Sequence, residues 1–154
     1  MAYLASEMAD VDVYERLCYV EYENKASAGI PVITSITKDS NFDAFLSYDS
    51  TTKKFTVLQD FDAVIVPWVY SYNTASGSYS EGQFLINDVV QVWFAGRTKS
   101  KGDIAGQPFA VHLSANDVIW SYTPNSNGYP SQRLKIYRSL LPIDNLPSAM
   151  TLSA

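Results

Sequence analysis

His112 is the only histidine in the chain and Cys18 the only cysteine, so metal sites or relays that need two histidines, and any intramolecular disulfide, are excluded. His112 stands in the alternating run Phe109-Ala-Val-His-Leu, which reads as a strand position facing solvent or a polar partner rather than as a general acid or base. A serine, an aspartate and this histidine can still meet in space, but no Gly-x-Ser-x-Gly elbow or other nucleophile motif frames a serine. Asp60 with Asp62, and Asp10 with Asp12, form Asp-x-Asp pairs that suit a hard cation in principle. The EF-hand pattern is absent, and the plainer reading is a polar loop at a strand start. Carboxylates paired for glycoside hydrolysis have no sequence spacing to check. Glycine-rich phosphate loops are missing. Cys18 has no cation nearer than Arg16 to lower its pKa, so it reads as a small buried hydrophobe. The expectation is a protein that is not an enzyme and needs neither cofactor nor metal.

Binding surfaces are better represented than reactive groups. Aromatic residues make up 14% of the chain, with 11 tyrosines, which is enough to fill a core and still leave rings for an interface. Trp68, Tyr70, Trp93 and Trp120 are the candidates for subunit packing. Tyr70, Tyr72 and Tyr79 flank one loop that would present stacking faces to sugar rings, which is the alternative reading: a carbohydrate-binding receptor module. Residues 1–24 hold six of the 16 acidic groups and one of the 11 basic ones, leaving ten of each in the remainder, so the whole net charge of −5 sits on the N-terminal segment. Such a segment avoids nucleic acid and suits a basic protein surface. Glu7, Asp10, Asp12, Tyr14 and Glu15 are its candidate contacts with a larger shell. Arg97, Lys99 and Lys101 cluster in one loop, and Arg133 and Lys135 share a strand face, with Leu134, Ile136 and Arg138 on the other. On a neutral body these patches suit acidic protein groups better than nucleic acid.

The elements that must position these residues are strands. Leu17 to Glu23 alternates, with Cys18, Val20 and Tyr22 on one side and Tyr19, Glu21 and Glu23 on the other. Residues 1–16 carry helical spacing at Met8, Val11 and Glu15, with Ser6 as cap. From Ile30 onward come short runs rich in β-branched and aromatic residues: Ile30 to Thr37, Phe42 to Tyr48, Lys54 to Leu58, Ala63 to Tyr72, Gln83 to Ile86, Val89 to Ala95, Pro108 to Leu113, Val118 to Tyr122 and Arg133 to Leu140. Turn chemistry separates them, including Asn87-Asp88, Asn116-Asp117 and the stretch Gly96 to Gly106. Pro67 interrupts the strongest run and predicts an edge strand or a bulge there.

Crossovers too short for helices make this an all-β protein, an antiparallel β-sandwich of the jelly-roll kind. The expected division is an acidic N-terminal arm over 1–28, the sandwich over 29–141, and a proline-punctuated C-terminal tail over 142–154. Charged residues are 18% of the chain against about 25% in an average globular protein. A surface so short of charge favours a chain that does not live alone. The longest apolar run, Ala63 to Tyr70, is far below the roughly 20 residues of a membrane span, and the N-terminus lacks a basic leader region, so synthesis in the cytoplasm without membrane insertion is expected.

The segment Tyr48-Asp-Ser-Thr-Thr-Lys-Lys-Phe-Thr-Val, followed by Leu113-Ser-Ala-Asn-Asp-Val-Ile-Trp, resembles the C1q/TNF-like jelly roll. In that family a Tyr/Asp-rich turn leads into a Phe-Thr strand, and a Leu-x-Ala-Gly-Asp-x-Val turn precedes a late strand. The resemblance runs loosely over residues 40–140. It departs where the family has Gly-x-Tyr-x-Phe and this chain reads Phe61-Asp-Ala-Val-Ile, and where Asn116 replaces the family glycine. The resemblance implies trimers about a threefold axis lined by aromatic residues, and it extends to the decoration and fibre-head proteins of tailed phages. The implied role is a capsid decoration or cement subunit of a virion, with copies of itself and a major capsid or other virion protein as partners.

Overall fold

In a computed structural model of the chain, the alternation along Leu17 to Tyr22 becomes a burial pattern: Cys18, Val20 and Tyr22 are buried while Tyr19 and Glu21 are half-buried on the opposite face. The structure describes residues 13–23, 29–72, 78–98, 102–105, 107–123 and 129–144. Eleven strands and one helical turn occur among them: β1 (Tyr14–Tyr22), β2 (Ile33–Lys38), α1 (Phe42–Phe45), β3 (Leu46–Asp49), β4 (Lys54–Val57), β5 (Phe61–Tyr72), β6 (Ser78–Ile86), β7 (Val89–Thr98), β8 (Gly102–Ala105), β9 (Phe109–Leu113), β10 (Val118–Tyr122) and β11 (Tyr129–Ser139).

All pairings are antiparallel and build two sheets. The first has the order β2-β1-β11-β5, with β8 and β9 both on the far side of β5. The second has the order β3-β4-β10-β6-β7. Leu17, Cys18, Val20, Ala63, Ile65, Val111, Leu134 and Ile136 from the first sheet meet Leu46, Phe55, Val57, Phe84, Ile86 and Ile119 from the second, all essentially without solvent exposure. Leu17 and Cys18 are consecutive yet both buried because the register against β11 shifts between Arg16 and Cys18, a bulge that turns two neighbours inward. The turn α1 closes one end by burying Phe42 edge-on against Phe55, with ring centroids 6.2 Å apart.

Turn chemistry sets the hairpin ends. Asn87 and Asp88 both have positive φ, 51° and 64°, as a two-residue turn between β6 and β7 requires. Asn116, at φ 74°, is also left-handed. Asparagine tolerates that region better than other residues with a Cβ, which explains how it takes the place of the glycine in the resembling motif. Among the described residues four polar ones are buried: Gln83, Ser121, Thr123 and Gln132, the last donating its Nε2–H to Thr123 Oγ1.

Several expectations change. Pro67 is neither at an edge nor at a bulge: β11 pairs along all of Ala63 to Tyr72. Pro67 instead falls where the neighbour on the other side switches from β9, which pairs Phe61 to Ile65, to β8, which pairs Trp68 to Ser71. A strand lacks a donor there at least cost. The stretch Gly96 to Gly106 was expected to be loop, yet it includes the end of β7 and the strand β8. Phe42 to Phe45 is a helical turn, and the strand starts only at Leu46.

The N-terminal arm expected over 1–28 is cut short, because Tyr14–Tyr22 is an interior strand between β2 and β11. Tyr14 to Arg16 are extended rather than helical, and residues 1–12 lie outside the described residues. Two polar groups tie this strand down. Arg16 Nε lies 2.7 Å from Asp39 Oδ2, with a second bond from Nη2 to Oδ1. Glu15 accepts from Asn41 Nδ2 at 2.7 Å and from Arg138 Nη2 at 3.0 Å.

Two predictions follow from this packing. Phe55→Ala empties a fully buried ring site and is expected to destabilise the fold by about 3–5 kcal/mol, read from urea unfolding midpoints at unchanged m-value. The hydrogen bonds from Arg138 and Asn41 hold the Glu15 carboxyl below its ordinary value, and that from Arg16 does the same for Asp39. A carboxylate whose folded pKa is depressed contributes stability above its unfolded pKa and loses it as pH falls. The thermal midpoint is therefore expected to drop as pH falls from about 5 towards 3, since ordinary carboxylate values lie near 4. The double variant Glu15→Gln/Asp39→Asn is expected to show a shallower decline; an unchanged slope would contradict this account.

Candidate functional site

The outward positions of the first sheet form rows across three strands, because register aligns them. Tyr19, Lys135 and Val66 make one row, and Glu21, Arg133 and Trp68 the next. Tyr137, Val64 and Ala110 continue the face towards the opposite end, where Asp62 meets His112. The Arg133 guanidinium carbon lies 4.3 Å from the Trp68 ring centroid, and Lys135 Nζ lies 5.7 Å from that of Tyr19. Glu21 Oε1 accepts from the Tyr19 hydroxyl at 2.8 Å and sits 3.6 Å from Arg133 Nε. Burial, reinforced by the bond to Glu21, raises the Tyr19 pKa, so the ring stays neutral. Between these rows lies a groove of about 210 Å³ lined by Tyr19, Val66, Trp68, Arg133, Leu134 and Lys135. This is a cation–aromatic surface with an apolar floor, which suits contact with a partner and offers no reactive group.

The residues expected to pack subunits are not brought together. Trp68 lies on the outer face of the first sheet, and Tyr70 occupies the next position of the same parity on β5. Trp120 belongs to the outer face of the second sheet, where Lys54 Nζ lies 4.4 Å from its ring centroid and its Nε1–H donates to Asp88 Oδ1 at 3.1 Å. Trp93 is also in the second sheet, opposite Gln83. Trp68 and Trp120 thus lie on different sheets of one copy, so a contact that uses both has to join different faces of neighbouring copies.

Of the expected shell contacts, Glu7, Asp10 and Asp12 lie outside the described residues; Tyr14 is exposed, and Glu15 is bonded into the body. In the basic loop, Arg97 falls on β7 opposite Tyr79, while Lys99 and Lys101 lie outside the described residues. Of the tyrosine-rich stretch Tyr70 to Tyr79, Tyr70 and Tyr72 fall on β5 and Tyr79 on β6, while residues 73–77 between them and the tail from 145 lie outside the described residues.

A second concavity, open and about 420 Å³, lies at the end of the sandwich and is lined by Phe45, Gln59, Asp60, Phe61, Asp62, His112, Arg138, Ser139, Leu140, Leu141 and Pro142. Sequence reading singled out Asp60, Asp62 and His112 separately, but not that they share one concavity. Its charged groups are engaged structurally. Asp62 binds His112 Nδ1 through Oδ1 at 2.8 Å and accepts the Ile143 amide through Oδ2 at 3.1 Å, and these bonds, His112 first, lower its pKa. Asp60 accepts the Ala115 amide at 2.8 Å. The two carboxylates of the Asp-x-Asp pair thus hold separate loops. Among the described residues no three His, Cys, Asp or Glu side chains cluster to hold a metal ion. Burial pushes the Cys18 thiol up to about 12, which suppresses the thiolate that reactivity would need.

No family model matches the chain, and no curated protein matches it by sequence. Solved structures do match by shape. The globular domain of zebrafish complement 1qA superposes with a TM-score of 0.59 at 12% identity, covering 84% of this chain and 100% of that one. Eiger TNF from S. frugiperda gives 0.55 at 8% identity, covering 90% and 98%. Murine APRIL gives 0.55 at 7% identity, covering 80% and 99%. With two antiparallel sheets in the order described and these neighbours, the chain is a β-sandwich jelly roll with the C1q/TNF-like fold.

Proposed function

We propose that this chain is a non-catalytic jelly-roll subunit that self-associates through the outer face of its six-stranded sheet, and that the resulting oligomer serves as a structural, decorating component of a virion. One observation carries the first part. Val64, Val66, Trp68, Tyr19 and Tyr137, interleaved with Arg133 and Lys135, lie on a sheet face over which no described element packs. Aromatic rings with cations stacked on them are the residue types that interfaces favour. The C1q/TNF-like fold supports trimers as its form. The virion role is supported by the low charge content of the chain and by its acidic N-terminal segment, which suits a basic protein surface. Several weak contacts multiplied by valency would hold such an oligomer on a repeating shell without new chemistry.

Light scattering is expected to give three times the 17.1 kDa mass of the chain, and Val66→Asp, a change on the half-buried outer face, is expected to give folded monomer with wild-type circular dichroism. A monodisperse wild-type monomer at millimolar concentration would refute the self-association. Cosedimentation with particles tests the finer role separately: an oligomer that leaves particles bare but binds on a glycan array would replace decoration with sugar recognition.

A further inference from the structure

We infer that the groove at the end of the sandwich is a docking site for an uncharged apolar segment, and that its occupant is the chain's own residues 145–154, folded back over Leu58, Leu140 and Leu141. The inference is independent of self-association. It begins from where the exposed apolar side chains lie. Among the described residues the large hydrophobics that remain exposed are Tyr14 (41%), Val32 (38%), Leu58 (46%), Leu140 (42%) and Leu141 (57%). Four of these five fall on or beside this one groove. Leu140 and Leu141 line it; Tyr14 pairs with Ser139, immediately before them. Leu58 donates its amide to the carbonyl of Phe45 at 2.8 Å, and Phe45 and Gln59 are both lining residues. At about 420 Å³ the groove falls in the range of about 300–1,000 Å³ in which pockets bury a substantial ligand.

The described residues at both limits of the sandwich, Val13 and Asp144, lie at or near this place. The Leu140 amide donates to the Val13 carbonyl at 2.8 Å, so residues 1–12 depart here. Pro142 forms part of the wall, and Asp62 Oδ2 holds the Ile143 amide at 3.1 Å, so residues 145–154 depart here too. Charge distinguishes between the two. The groove carries Asp60 and Asp62 on its wall, with Glu15 bonded behind Arg138, against Arg138 and His112. Residues 1–12 contain Glu7, Asp10 and Asp12 with no lysine or arginine, so that segment meets like charge. Residues 145–154 contain no charged side chain and supply Leu146, Pro147, Met150 and Leu152. Such a segment can cover the exposed leucines without burying a charge. Its tether is short: the amide of Ile143 is already fixed at the wall, so the closure entropy is small and the local concentration of the segment is high.

The test uses the full chain with cysteine pairs. Leu58→Cys/Met150→Cys is expected to form an intramolecular disulfide under mild oxidation, seen as a faster-migrating band at monomer mass, whereas Leu58→Cys/Met8→Cys is expected to stay reduced. Native Cys18 is buried and does not compete. A spin label on Met150→Cys gives a second reading that needs no bond: loss of at least half the amide signal at Leu58 and Leu141, unchanged on tenfold dilution. The inference is overturned by a cross-link at Met8 instead, by cross-links joining two chains, or by full signal at both leucines. Monomer mass alone would overturn the self-association proposed above and leave this result intact.

Discussion

The pairing of β5 with β11 is the constraint on which the rest of the structure depends. It is the longest continuous ladder in the first sheet, running from Ala63↔Arg138 to Tyr72↔Tyr129 without a register shift. Every other strand of that sheet attaches to one of these two directly or through β1. Because side chains alternate, the same register that turns Ala63, Ile65, Leu134 and Ile136 into the core turns Val64, Val66, Trp68, Arg133 and Lys135 outward. A slip of one residue would bury two cations and expose two core aliphatics, which is why the register is strongly specified. Core and outer face are therefore two consequences of one pairing, and neither can change alone.

The polar groups at the sandwich ends follow a different logic. Asp62 with His112 has the separation of an acid–base pair, 2.8 Å, but the second carboxylate oxygen holds the backbone of Ile143. Asp39, Glu15 and Asp60 likewise bond to Arg16, to Arg138 and Asn41, and to the Ala115 amide. Each acid fixes a chain crossing, so the carboxylates that looked available for chemistry are fastenings between segments far apart in sequence. That is how a body with one cysteine and no disulfide fixes its ends.

Much of this was legible in the residues. Period-2 alternation assigned Cys18, Val20 and Tyr22 to one side, and it separated Arg133 and Lys135 from Leu134 and Ile136, because strand geometry leaves a side chain only two directions. What alternation cannot report is which strand lies alongside. The stacking of Arg133 on Trp68 depends on a pairing between residues 65 positions apart, and the division of Trp68 from Trp120 depends on which sheet each strand joins. The strand β8 was hidden because Gly102-Asp-Ile-Ala is a turn-like composition that pairs only through its neighbour. Phe42 became helical because the Asp39 carbonyl takes its amide at 3.0 Å, a local bond that outweighs the β preference of phenylalanine. The groove's apolar signal was Leu140-Leu141 ahead of Pro142 at a strand end, which reads as a tail until the start of β5 is placed beside it.

For the self-association proposed on the outer face, charge placement also constrains how copies could meet. Arg133 has Glu21 within 3.6 Å, whereas Lys135 has a ring contact but no carboxylate partner among the described residues. Burying that ammonium without an acceptor is expensive. A twofold contact centred on these rows would bring each lysine towards its own copy, adding like-charge repulsion to desolvation. A cyclic threefold contact is heterologous, so the patch around Lys135 meets a different part of the neighbour and can find an acceptor there. The charge pattern thus argues for a ring over a two-sided sandwich of copies, on electrostatic grounds separate from the shape of the fold.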